Sequence, residues 1–334
     1  MRIPIVLFLS VFSPCLVQTQ VNWASADSVF GILPSSVKVF KTLSQLDGKP
    51  NIAWYAEADL NDPALEFTVD TAHKRRLTPL AFYQKSLDTL SFRERTAVPV
   101  LVVNCTFFSF ASNQNLNTVI KNGRMLAYNI HTVYGRGKDT FTYRHPLGSA
   151  IGINKKRKAD IAWLITDSSL RYPLASQWPA VPVKDSVINP GWKKIKQGIS
   201  VPEHRGPEKW KMQTAVGGGP VLVQNGEIRI TNNEELKFAG KAISDKHPRT
   251  AMGYTADNKL IILVIEGRNP GIAEGATLEQ TARMLKDLGC TEALNLDGGG
   301  SSCMLINGKE TIRVSDNSGQ RPVPAVFIIN WSPR

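Results

Sequence analysis

Residues 260 to 308 leave the chain few ways to fold. Leu260 to Ile265 is an apolar, β-branched run that reads as a strand and ends at Glu266-Gly267-Arg268. Thr277 and Gln280 have capping-box spacing, and Leu278, Ala282, Leu285 and Leu288 recur as one helical stripe that Gly289 stops. Ala293 to Leu296 reads as a second strand, followed by Asp297, three glycines and two serines before apolar character resumes at Met304. Strand, helix, strand is the crossover that lays two strands parallel in one sheet, with their carboxyl ends on one edge. Glu266, Arg268 and Asp297 are therefore expected at one rim, ~5 Å apart if the strands are neighbours and ~10 Å if one strand lies between them.

The remaining signals point to an α+β fold, a mixed β-sheet core with packed helices, in one domain over residues 27–334. Residues 52–58 and 65–69 read as strands flanking an Asp62-Pro63 breaker, and the run from Pro99 to Asn104 as a buried strand. Asn122-Gly123 and Asn225-Gly226, each between apolar runs, are hairpin turns. Residues 166–210 show little periodicity and read as a long surface excursion.

The first 26 residues carry Arg2, an apolar run from Ile3 to Phe12 and the small-residue pattern Ala24-Ser25-Ala26, which together read as a cleaved secretory signal, with cleavage after Thr19 as a second possibility. The run is well short of the ~20 residues that cross a bilayer, and no later segment is long enough, so no membrane span is expected in the mature chain. Export would leave Cys105, Cys290 and Cys303, an odd set that allows at most one internal bridge. A formal charge of +12 favours acidic partners. The longest basic run, residues 155–158, follows an apolar strand and reads as a solvated hairpin turn without interleaved aromatics, so nucleic acid is not the expected partner and an anionic glycan or phosphate ester is.

Three consecutive glycines are entropically costly, so they serve either a tight bulged hairpin or a backbone that must approach a ligand. Gly298 to Gly300 lack the Gly-Lys-Ser/Thr ending of a nucleotide phosphate loop, and no G-x-S-x-G elbow is present. The five histidines do not have zinc-site spacing, and neither a metal nor a cofactor is expected. A second triplet, Gly217 to Gly219, also leads into a strand and an Asn-Gly turn, which favours a shared backbone-lined cleft. Arg249, Thr250 and Arg268 sit at strand ends, where guanidinium could offer paired donors to phosphate.

At these residues the chain resembles the phosphodiester glycosidase family. RTAMGYTADNKLIILVIEGR, ALNLDGGGSS and GGGPVLVQNG carry the match, with weaker echoes in VVNCTFF and QRPVPAVFII. The resemblance implies a hydrolase that cleaves between a sugar's anomeric carbon and a phosphodiester, such as an N-acetylglucosamine 1-phosphodiester, and the expected leader places it outside the cytoplasm as a secreted or periplasmic protein. Asp297 and Glu266 are the expected catalytic carboxylates, one stabilising an oxocarbenium-like transition state and the other orienting or deprotonating water; which is nucleophile or base is not decided. Arg249, Thr250, Arg268, Gly218, Gly219, Gly298, Gly299, Gly300 and Ser301 would bind the phosphate side, Asn104 and Asn295 the sugar, and Phe107 or Phe108 a ring face. The family's Asn-Gly-Gly-Phe-Phe is replaced by Asn104-Cys105-Thr106-Phe107-Phe108, which adds side chains where close backbone approach is expected and bears on sugar preference. A non-catalytic binding protein for phosphorylated exopolysaccharide is the alternative from another class.

Overall fold

The computed structural model describes residues 21–92, 97–185 and 207–333. Three large sheets dominate. The first runs in the order Ala24–Ser25, Val37–Thr42, Ala53–Asp59, Lys259–Ile265, Arg249–Thr255, Cys290–Asn295, Val221–Gln224, Glu227–Ile228. The second runs Glu208–Lys209, Leu174–Ser176, Ala159–Ile165, Gly148–Asn154, Met212–Gly217, Val119–Lys121, Arg124–Ala127. The third runs Lys309–Glu310, Met304–Ile306, Val98–Asn104, Ala325–Trp331, Leu65–Thr71.

The expected α+β fold with a mixed sheet is not what forms. Every described strand pair is antiparallel, from the hairpins to the long-range pairs. Only three α-helices occur among the described residues, Pro79–Phe92, Asn232–Glu235 and Leu278–Asp287. The physical reason lies in the core: Val39 and Val264 of the first sheet, Ile151 and Trp163 of the second, and Val103 and Phe327 of the third bury one another in a single cluster. Sheets, rather than helices, cover the inner apolar faces. Helix Leu278–Asp287 shields only the outer face of the first sheet, through Leu278, Ala282 and Leu285 on Ala251, Leu263 and Ile265.

Within this all-antiparallel sheet the expected crossover survives. Lys259–Ile265 and Cys290–Asn295 are parallel to each other because both pair antiparallel with Arg249–Thr255, which lies between them. The helix between them begins with both halves of the Thr277–Gln280 capping box and ends at Gly289, φ +81°. The Asn-Gly turns also form as expected, with φ +52° and +75° at Asn122-Gly123 and +53° and +75° at Asn225-Gly226, the left-handed pair that a two-residue hairpin needs. Residues 155–158 indeed turn between strands Gly148–Asn154 and Ala159–Ile165.

The proposed leader falls largely outside the described residues, as does 186–206 of the surface excursion. Ala24–Ser25 pairs with Lys41 and Phe40, and Ala26 is buried, so a cut after Ala26 would remove an edge strand that a cut after Thr19 would keep. Cys105, Cys290 and Cys303 are buried and free. No helix among the described residues is long and apolar enough to cross a membrane.

Candidate active site

The inserted strand sets the geometry of the rim. Leu296 N–H donates to Thr250 O at 2.8 Å and Gly299 N–H to Pro248 O at 2.8 Å, so the loop after Asp297 is laced to the entry of the Arg249–Thr255 strand. Glu266 and Asp297 leave strands on either side of it, about 10 Å apart at ordinary strand spacing. Their side chains have separate partners. Glu266, 5% exposed, accepts the Arg313 backbone N–H at 3.0 Å. Asp297 accepts from Ser301 and the Gly298 backbone, with the Arg321 guanidinium nearby. Burial outweighs these three favourable neighbours and pushes the Asp297 carboxyl up to about 7.

The two glycine triplets differ in what they touch. A side chain on Gly299 would come within 2.9 Å of Arg268 Nη2, and one on Gly300 would collide with Arg321 Nη2. One on Gly298 would reach the Pro248 carbonyl at 2.9 Å. The missing side chains thus let two guanidiniums lie against the Gly299–Ser301 turn beside Asp297. In the other triplet, a Cβ on Gly218 would strike the Asn295 carbonyl, and one on Gly219, φ +117°, would strike Glu235 and Lys237.

Not all of the expected binding residues open onto the cleft. Arg249, 3% exposed, donates through Nε to Ala276 O at 2.9 Å and through Nη2 to Asp245 O at 3.0 Å, with its guanidinium over the Phe238 ring at 5.8 Å. Burial lowers its pKa to about 10. Arg268 is exposed, at φ +62°. Asn104 is fully buried: Nδ2 donates to Asp297 O at 2.5 Å, while Oδ1 accepts from Thr250 Oγ1 at 2.8 Å and Cys303 N at 3.1 Å. Asn104 and Thr250 therefore clasp the loop that carries Asp297 from beneath. Asn295, 1% exposed, donates to Gly219 O at 3.0 Å and Leu296 O at 2.9 Å, tying the Gly217–Gly219 triplet to the end of the strand that leads to Asp297.

The Cys105-Thr106 departure points inward. Cys105 joins the central core, where burial pushes its thiol up to about 12, and Thr106 Oγ1 donates to Asn115 Oδ1 at 2.5 Å. Phe108 packs in the core, whereas Phe107 is only partly buried and meets Phe238 edge-on, centroids 6.0 Å apart.

Four residues near the cleft were not legible as site residues. Arg321 is held by Asp316 at 2.8 Å and lies over Phe110 at 5.4 Å; the QRPVPAVFII echo contains it but gives it no role. Lys237 stands over the Phe107 ring at 5.8 Å, its pKa lowered by burial despite Glu235. His247, one step before Pro248, has its pKa lowered by burial and then by Arg249 and Arg268. Phe238 completes the aromatic wall. Among the described residues no group of three His, Cys, Asp or Glu could hold a metal ion.

The family model for phosphodiester glycosidase matches residues 97–330, a span that holds Asp297, both glycine triplets, Glu266 and all three arginines. The chain belongs to the phosphodiester glycosidase family. Among its relatives, the SPbeta prophage-derived uncharacterized protein YomE of Bacillus subtilis (strain 168) is 38% identical over 83 residues, 25% of this chain and 13% of that protein. The N-acetylglucosamine-1-phosphodiester alpha-N-acetylglucosaminidase of Mus musculus is 28% identical over 104 residues, 29% of this chain and 20% of that one. These matches thus span a fifth or less of the relatives' own length. The zebrafish catalytic domain of the same name, auto-inhibited by its pro-peptide, superposes with TM-score 0.56 at 18% identity, covering 95% of this chain and 89% of that one. A hypothetical protein from Synechocystis gives TM-score 0.55 at 15% identity over 93% of this chain and 68% of its own. The phosphodiester glycosidase fold is therefore shared well beyond the short stretch of sequence similarity.

Proposed function

We propose that this family member hydrolyses the bond between a sugar's anomeric carbon and a phosphodiester, with an N-acetylglucosamine 1-phosphodiester as the model substrate, and that it acts in a secreted or periplasmic setting. The observation that carries the reading is a carboxyl group raised to about 7 by burial, flanked by a glycine turn against which the Arg268 and Arg321 guanidiniums lie. Water adds to the anomeric carbon, the bond from that carbon to the bridging oxygen breaks, and the phosphate monoester departs with the electron pair. The two guanidiniums stabilise the charge that develops on the leaving group, because the Gly299 amide is already donated to Pro248 O and the Gly298 amide to Asp297. Asp297, poised near neutrality, handles the proton or the oxocarbenium-like carbon. Glu266 stands across the inserted strand as the second carboxylate, oriented by the Arg313 amide.

Incubation with UDP-N-acetylglucosamine or an aryl-phosphate diester of the sugar, with release of free sugar measured, tests the reading. Turnover that Asp297→Asn abolishes while the variant stays folded is expected. Full activity in Asp297→Asn removes the catalytic assignment. Tight binding of the diester with no sugar released after long incubation replaces it with a non-catalytic phosphoglycan-binding protein.

A further inference from the structure

Two hairpin turns noted in the sequence play no part in the cleft, yet the fold brings them together. Asn122-Gly123 and the start of the 155–158 basic run border a cavity of about 440 Å³ whose wall includes Arg124, Lys155, Arg171, Tyr128, Tyr172 and Gln213. Among the described residues no carboxylate lines it. Among the described residues none of its three cations joins a salt bridge, although twelve such bridges occupy other basic side chains. Arg157, in the same basic run, shows the contrast: its guanidinium donates to the Asp62 and Leu65 carbonyls at 2.6 and 3.0 Å and faces the protein. Arg171 lies over the Tyr172 ring at 5.3 Å, and Tyr128 is 38% exposed, so two aromatic surfaces accompany the free charges.

We propose that this cavity is a second binding site, for an acidic glycan. Unpaired guanidinium and ammonium groups answer the anionic groups, and tyrosine faces suit the apolar face of a sugar ring. The volume is that of a compact ligand site rather than of a groove that tracks a nucleic-acid backbone. Its position adds to the argument. Gln213 lies near the start of the Met212–Gly217 strand, and Gly217 and Gly218, beside the catalytic loop, lie at its other end. Five residues of extended chain place the cavity about 17 Å from the cleft. A single sugar phosphate cannot occupy both places, whereas one chain of repeating acidic sugars can, which raises its effective concentration at the cleft.

Titration calorimetry of the full chain with a glycerol phosphate-linked teichoic acid and with polygalacturonate separates phosphodiester from carboxylate as the anionic group; binding of either supports the site. The variant Arg124→Gln/Lys155→Gln/Arg171→Gln, whose changes are all on the surface, is expected to bind about thirtyfold more weakly. Its melting temperature and its turnover of a small sugar diester should be unchanged. Asp297→Asn should bind the polymer like the unmodified protein, so the result stands apart from the catalytic reading. Binding that the triple variant retains in full, equal binding of neutral dextran, or capture of poly(dT) but neither polysaccharide would overturn the proposal.

Discussion

The two glycine triplets look alike in the sequence and do opposite work in the fold. Gly299 and Gly300 are bare because arginine side chains arriving from other segments rest on them, and those tips can shift, while Gly298 lies against the Pro248 carbonyl. Gly217 to Gly219 are bare because backbone and a buried carboxylate already fill the space. Glu235 is that carboxylate: Oε1 accepts from Trp163 Nε1 at 3.2 Å, Val221 N at 2.9 Å and Thr231 Oγ1 at 2.7 Å, and Oε2 from Ser149 Oγ at 2.6 Å. One triplet therefore shapes a charged surface and the other locks two sheets together. Glycine content alone does not reveal which is which; the neighbours do.

Four substitutions probe that division, beginning with the largest effect. Asp297→Asn should lower kcat about a thousandfold on a sugar phosphodiester while the thermal midpoint stays close to that of the parent. Gly218→Ala forces a methyl into the Asn295 carbonyl, which cannot move without breaking strand pairing, and should cost about 2 kcal/mol in urea unfolding. Gly300→Ala first meets the end of the Arg321 side chain, so it should leave stability within about 0.5 kcal/mol yet reduce kcat/KM about tenfold, because the guanidinium is displaced. If Gly300→Ala unfolds the protein while Gly218→Ala does not, the contrast between the triplets is reversed.

The smallest effect concerns pH. The positive charge of Arg321 favours ionised Asp297 against the desolvation that raises its pKa. Arg321→Gln removes that help, so the Asp297 limb of the kcat/KM profile, near pH 7 in the parent, should move to higher pH by about half a unit. A limb that stays in place, or moves down, would show that Arg321 does not act on this carboxyl.

Local chemistry was the legible part of the chain. The capping box, the Gly289 stop and both Asn-Gly turns depend on a few neighbouring residues, and the backbone follows them. The rim position of Asp297 was legible for the same reason, since a crossover fixes strand direction. What covers each sheet was not. Short apolar strands do not state whether a helix or another sheet lies on them, and here three sheets share one core, which overturned the expected helix-packed architecture. Arg249 was readable as a cation at a strand end but not as one whose donors are taken by the Ala276 and Asp245 carbonyls. Arg321 and Lys237 reach the cleft from segments with no local signature, so only the folded arrangement shows them. Asn104 marks the reverse case, a polar residue at a promising position whose side chain is used up inside the protein.

The strand Arg249–Thr255, wedged between its two parallel flanks, carries one further implication. The gap separating Asp297 from Glu266 is fixed by two hydrogen-bonded ladders, not by the helix that joins their strands. Lengthening or shortening that helix would leave the separation of the two strand ends untouched, so the outer surface there can change without moving either carboxylate's strand.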